Sequence, residues 1–214
     1  MREMPYPDGR RTPETQTRPL LAQRRKEALR LEIAQEAVRL FTSQGVTATT
    51  GEQIAQAVGI SARTMWRHFP TKESCVLPLL TAGLDFAMAQ LRHWPPQMSL
   101  LDYFTQICRE SELPPVTPVI LDLIRMTSTD PALRSVWLQA HNDALPVLRE
   151  LLAQRSNGTA DDLRVQVHAA TLNGALRAAA EEFARPPAAG SETSNDIAAC
   201  LLAALRAASE GLPY

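Results

Sequence analysis

From Leu21 to Ala208 the apolar residues return at three- and four-residue intervals, and no run alternates apolar with polar residues as a strand would. That pattern commits the chain to an all-α fold of about nine helices. Ala, Leu, Arg, Glu and Gln fill the periodic stretches, and helix breakers stand between them. Gly45 and Gly59 suit the left-handed residue that closes a helix, while Pro70 and the pair Pro95–Pro96 end two others. Thr117 and Asp130 each precede a proline, which loses no hydrogen bond in a first turn. The expected helices cover 21–44, 51–58, 61–69, 72–94, 99–111, 118–128, 131–156, 160–185 and 194–209. Pro78 should kink the fourth and Pro146 interrupt the seventh. Residues 1–20, rich in Pro and Arg without an apolar face, read as a disordered arm able to follow a DNA minor groove.

The second and third helices carry the most specific signal. Ile54, Ala55 and Val58 form a short apolar stripe that ends at Gly59, and Ile60 fills the corner. Thr50 with Gln53 has the spacing of a capping box, and the hydroxyl of Ser61 suits the next helix start. That next helix carries Arg63, Thr64, Trp66, Arg67 and His68, with only Met65 and Phe69 clearly apolar. Two buried residues against five reaching groups is a poor recipe for stability. It suits a major groove, where Arg bonds guanine edges and Thr meets thymine methyls. A surface for a protein partner would use Trp and Arg too, but the turn and the basic helix before it favour DNA. Arg24, Arg25, Lys26 and Arg30 crowd a helix start where the macrodipole disfavours cations, so phosphate explains them better than helix stability.

Charge divides along the same line. Residues 1–72 hold 12 Lys/Arg and 7 Asp/Glu, and residues 73–214 hold 10 and 16. A basic head on an acidic body fits nucleic-acid binding coupled to another task. Cys75, Cys108 and Cys200 are widely spaced and have no ligand pattern, as expected of reduced thiols in a cytoplasmic protein that binds no metal. No run counts as a membrane span, and no apolar leader opens the sequence, so no membrane partner is expected.

In order, Leu40-Phe41, Gly45, Thr49-Thr50, Ile54-Ala55, Gly59-Ile60-Ser61, Thr64, Trp66-Arg67-His68-Phe69 and Thr71-Lys72-Glu73 make up a pattern that resembles the tetracycline-repressor (TetR) family. The resemblance covers about residues 24–75. It implies a helix-turn-helix head over 21–70 and a ligand-binding and dimerisation body over 71–214. Arg63, Thr64, Trp66 and His68 then fall where the family's recognition helix meets a double-stranded operator, and Thr50 and Lys72 where the family holds phosphates. Trp66 departs from the commoner Tyr or Phe. Gly51 departs from a better helix former and should weaken the second helix by about 1 kcal/mol relative to Ala.

For the body the expectation is a small-molecule effector, no cofactor and no catalysis. Phe86, Leu91, Tyr103, Ile107, Ile124 and Trp137 lie on apolar stripes that could line a pocket, as ordinary core residues also would. His141 interrupts such a stripe, and Asn173 and Arg177 stand one turn apart on an Ala-rich helix. Each could orient an amphipathic ligand; alternatively Arg177 pairs with Glu181. Ala132-Leu133-Arg134 with Trp137 looks similar to an acyl-CoA-binding branch of the family, which implies a fatty-acyl or other apolar anion. A ligand beside Phe86, Leu91 or Trp94 would tilt the fourth helix. Helices near 160–185 and 194–209, rich in small residues, suit a homodimer. The alternatives are control by a protein partner, or an enzyme using Cys108 or His141.

Overall fold

The computed structural model describes residues 14–110, 113, 115–186 and 196–210, with side chains from Leu21 onward. The described residues form nine helices and no strand: α1 (Glu14–Gln44), α2 (Gly51–Val58), α3 (Ala62–His68), α4 (Leu77–His93), α5 (Leu100–Arg109), α6 (Pro118–Thr129), α7 (Pro131–Ser156), α8 (Leu163–Ala184) and α9 (Ile197–Glu210). A 3-10 turn, Glu73–Val76, precedes α4. α1 starts at Glu14, so residues 14–20 belong to a helix and not to the expected arm. Residues 1–13 lie outside the described part.

Local chemistry sets most boundaries. Gly59 closes α2 at φ 76°, and the N–H of Ile60 reaches back to the Ala55 carbonyl at 2.9 Å. Asp130 caps α7 by accepting from the N–H groups of Ala132 and Leu133, both at 2.9 Å. Asn157 ends α7 in the left-handed region at φ 52°. α7 continues through Pro146 without a break; Pro146 and Asn142, whose carbonyl loses its donor, are both exposed. Pro78 does not kink α4. The 3-10 turn takes up residues 73–76, which leaves Pro78 in the first turn of the helix, where proline costs nothing.

Two apolar cores follow. The first joins Ile33, Ala37 and Phe41 of α1, Ile54 of α2, Met65 of α3 and Phe69 to Leu79 and Leu80 of α4, Leu123 of α6, and Leu133 and Trp137 of α7. The head therefore shares its core with the start of the body. The second collects Leu91, Phe104, Ile107, Leu148, Leu172, Leu201 and Leu205 around α5, α8 and α9. Arg155 ties the end of α7 to the segment that follows α4. Its guanidinium lies 3.5 Å from the Trp94 ring centroid and donates to the carbonyls of Trp94, Pro96 and Met98 at 3.0–3.1 Å. By length and composition the segment Glu73–His93 could cross a membrane, contrary to a simple count of apolar residues. Here its face of Leu79, Leu80, Leu84, Ala87 and Leu91 is buried against other helices.

Candidate functional site

α2 and α3 are set by turns and caps built mostly from short-range bonds. Thr50 and Gln53 form the reciprocal cap: the Gln53 N–H donates to Thr50 Oγ1 at 3.2 Å, and the Thr50 N–H donates to Gln53 Oε1 at 2.8 Å. Gln44 extends the network by donating to both Thr49 Oγ1 and Gln53 Oε1 at 3.1 Å. At α3 the Thr64 N–H donates to Ser61 Oγ at 3.1 Å, and the two hydroxyls lie 2.9 Å apart. Met65 and Phe69 are the buried anchors of the helix. Arg63 and Arg67 are exposed, as is Trp66 at 40%.

Three expectations here need correction. Lys72 does not offer a free ammonium to phosphate: its Nζ donates to the carbonyls of Val46 and Thr49 at 2.6 and 2.7 Å, so it fastens the turn between α1 and α2. Arg30 is likewise engaged, donating to the His68 carbonyl at 2.7 Å with its guanidinium 4.3 Å from the Phe69 ring centroid. Gly51 is not merely a weak helix former. It is buried, and a Cβ built there would lie 2.1 Å from Cζ2 and 2.3 Å from Cη2 of Trp66. The large indole and the missing side chain are two halves of one packing solution.

Three exposed cations nevertheless converge. Arg25 and Lys26 of α1 and Arg67 of α3 line a single groove with Leu29 and His68. His68 is half-buried, with Nδ1 unpartnered. Burial first, then Arg67, Arg30 and Lys26, push its pKa below the ordinary imidazole value. A groove of this charge beside a protruding helix suits a polyanion.

The second feature is an apolar cavity of about 160 Å3 in the body. Of the expected ligand residues Phe86, Ile124, Trp137 and His141 line it. Leu91, Tyr103 and Ile107 do not: Leu91 and Ile107 are packed in the second core, and the Tyr103 hydroxyl is 3.2 Å from the Gln90 carbonyl. Arg177 also stands outside, and it makes no hydrogen bond or salt bridge to Glu181, although its charge helps hold that carboxyl down. Glu181 instead accepts from Arg134 at 2.6 Å and from Trp137 Nε1 at 3.0 Å. Burial would raise the Glu181 carboxyl, but these two donors outweigh it and hold the pKa below the usual carboxylate value.

Asn173 reaches the cavity only through His141. Its Nδ2 donates to the His141 carbonyl at 3.1 Å, and its Oδ1 lies 2.8 Å from His141 Nδ1. His141 is 3% exposed, and its Nε2 has no partner. Burial, opposed by the Asn173 bond, lowers its pKa. Sequence periodicity missed Leu79, Leu80, Ala87, Phe104, Leu176, Ala179 and Phe183 of the lining. All sit on apolar stripes that could as well have been solid core.

Among the described residues no three His, Cys, Asp or Glu side chains are placed to hold a metal. Cys75 is pushed up to about 12, mainly by burial, and burial followed by Asp196 raises Cys108. Activated nucleophiles are shifted the other way.

Comparison with known proteins agrees with the fold and the head. The family described as bacterial regulatory proteins, tetR family, matches residues 33–79, and the MftR C-terminal domain matches residues 117–213. The HTH-type transcriptional regulator TcmR of Streptomyces glaucescens is 30% identical over 168 residues, covering 75% of this chain and 73% of that protein. The HTH-type transcriptional repressor KstR2 of Rhodococcus jostii is 37% identical over 67 residues, which is 31% of this chain and 33% of that one. The crystal structure of a TetR-family regulator from Mesorhizobium loti aligns with 87% of this chain and 97% of its own, at 20% identity and a TM-score of 0.53. The chain is a member of the TetR family of DNA-binding transcriptional regulators.

Proposed function

We propose that the protein is a homodimeric repressor that leaves its operator when a small apolar molecule enters the cavity. α3 would enter the major groove, with Arg63 and Arg67 reading bases or bonding phosphates. Arg25 and Lys26 would hold the adjoining backbone, and the helix starts capped by Thr50 and Ser61 would face phosphates. Trp66, supported by Gly51, would present its exposed edge, and Thr64 and His68 would flank it. Two such heads about 34–36 Å apart would fit a palindrome. The dimer would form through α8 and α9. Leu163 and Val167 are 76% and 52% exposed on α8, and Ala199 and Ala203 are uncovered on α9. The head would comprise residues 14–70 and the body 71–214, acting in the cytoplasm, where the DNA is.

Leu79 and Leu80 carry the reading, because both are packed in the core of the head and both line the cavity. A molecule that displaces them alters the seat of α1 to α3 directly. The relevant part of α4 is Leu79–Ala87 and not the Leu91–Trp94 end. A coupling of about 1–3 kcal/mol between effector and operator would loosen DNA 5- to 150-fold. The test begins with selection of duplexes from a random pool by the purified protein. Fluorescence anisotropy then follows binding of the selected site with and without an effector isolated with the protein or drawn from a panel of apolar compounds. Failure to enrich any duplex at low salt would overturn DNA recognition. Equal operator affinity with the cavity filled and empty would overturn effector control.

A further inference from the structure

Within the cavity the hydrogen bonds of Asn173 fix which nitrogen of His141 carries the proton. Because Asn173 Nδ2 is bonded to the His141 carbonyl, the amide oxygen is the atom facing Nδ1. An oxygen acceptor there requires Nδ1–H, so Nε2 keeps a bare lone pair. That lone pair is unpartnered and has almost no accessible surface, and it belongs to a ring in a wall otherwise made, among the described residues, of Leu, Ala, Gly, Phe, Pro, Val, Ile and Trp. The Trp137 ring meets the imidazole edge-on at 4.2 Å and blocks one side. An acceptor left dry in this way costs free energy until a donor reaches it.

We infer that the cavity selects an uncharged ligand of about single-ring bulk that donates one hydrogen bond, from a phenol or alcohol hydroxyl, to Nε2 of His141. This rests on the effector reading above and names the chemistry of the effector. Apolar cavities of roughly 150 Å3 accept a benzene ring, which sets the size of the group seated here. An anion would meet the lone pair of His141 head-on, with no cation among the described residues of the lining. Arg134 is engaged with Glu181, and Arg177 lies outside the wall. The low basicity of the buried imidazole works the same way, since it keeps the ring from becoming a cation that a carboxylate could use. The fatty-acyl anion implied by the resemblance is therefore disfavoured in this cavity.

Three probes of matched shape separate the possibilities: 4-ethylphenol, 1-ethyl-4-fluorobenzene and 4-ethylbenzoate. With the full-length protein, 4-ethylphenol should bind at least about tenfold tighter than 4-ethylbenzoate. In protein labelled with 15N-histidine, the Nε2 resonance of His141 should move on adding the phenol and stay in place with the fluoro compound. His141→Phe should lower the phenol-to-fluoro affinity ratio about tenfold, because the hydroxyl then goes unsatisfied. The wild-type affinities and the nitrogen resonance decide the matter even if that variant does not fold. An unmoved Nε2 resonance with phenol bound, or equal affinity for the benzoate, overturns the inference. A benzoate that binds and releases operator does so while leaving effector control standing. If none of the three binds, this inference falls, while effector control is still decided by the panel and DNA recognition by the duplex selection.

Discussion

Replacing Gly51 by Ala should reduce both stability and operator binding, although alanine is the better helix former by about 1 kcal/mol. The added methyl would stand 2.1 Å from Trp66 Cζ2, where ordinary contacts begin at 3.4 Å, so the indole must retreat by more than 1 Å. Retreat is feasible, because Trp66 is 40% exposed and the clash falls on the far edge of its ring. The cost is then overpacking and lost ring burial, about 1–3 kcal/mol, partly offset by the helix preference. A net loss of about 1 kcal/mol would lower the thermal midpoint of a chain this size by about 2–4 °C. Adding Trp66→Tyr removes the far edge of the ring, so the double variant should recover most of the loss. The double-mutant cycle should show a favourable coupling of about 1 kcal/mol in urea unfolding. The operator affinity of Gly51→Ala, measured by anisotropy, should fall because a displaced indole alters the face of α3. An additive cycle, or a Gly51→Ala protein more stable than the parent, would refute the account of the pair.

Lys72→Ala should cost about 1–3 kcal/mol in urea unfolding by freeing the Val46 and Thr49 carbonyls, yet leave the slope of operator affinity against salt unchanged; a flatter slope would return Lys72 to the phosphates. Arg67→Ala should flatten that slope by about 1 and barely alter stability, and Arg63→Ala should cost about 1–3 kcal/mol in operator binding and relax base preference. Stability should fall as pH drops below the ordinary imidazole value of 6.5, because the unfolded chain takes up a proton that the buried His141 refuses. The loss ends once pH passes the lower folded value. Arg177 and Arg134 oppose protonation and Glu181 favours it. Thermal midpoints at pH 7.5 and 5.5 should therefore differ less in His141→Phe than in the parent. Glu181→Gln should weaken the bonds to Arg134 and Trp137 and lower the midpoint at pH 7, with a smaller effect at acid pH, where the parent carboxylate is itself protonated.

The helix boundaries were readable because their signals are local. Thr50 with Gln53, Ser61, Asp130 and Gly59 each act within a few residues of themselves, and the ordered motif from Leu40 to Glu73 fixed the head. Errors arose where a side chain acts across the fold. Lys72 bonds carbonyls 23 and 26 residues away, and Arg30 bonds one 38 residues away; no spacing in the sequence distinguishes them from free cations. Gly51 looked like a defect because its partner lies on the next helix. Pro78 was misjudged by the length of one 3-10 turn. The apolar stripe of α4 was plain, but periodicity gives no indication of which turns face a void. So Phe86 was found, Leu79 and Leu80 were missed, and Leu91, expected to line a pocket, is packed in the second core.

The clasp of Arg155 on Trp94 bears on how α4 can move. The helix's C-terminal end is riveted to α7 by a stacked guanidinium and three carbonyls, and its N-terminal end is packed in the core of the head through Leu79 and Leu80. Seventeen residues make a rod about 25 Å long, so a tilt of about 3° about the rivet sweeps the N-terminal end by about 1.3 Å. On the proposed function, a small wedge near Leu79 or Leu80 would be passed to α1–α3 instead of being dissipated in the loop at 94–99. Cutting the rivet with Arg155→Ala would turn a lever into a floating strut.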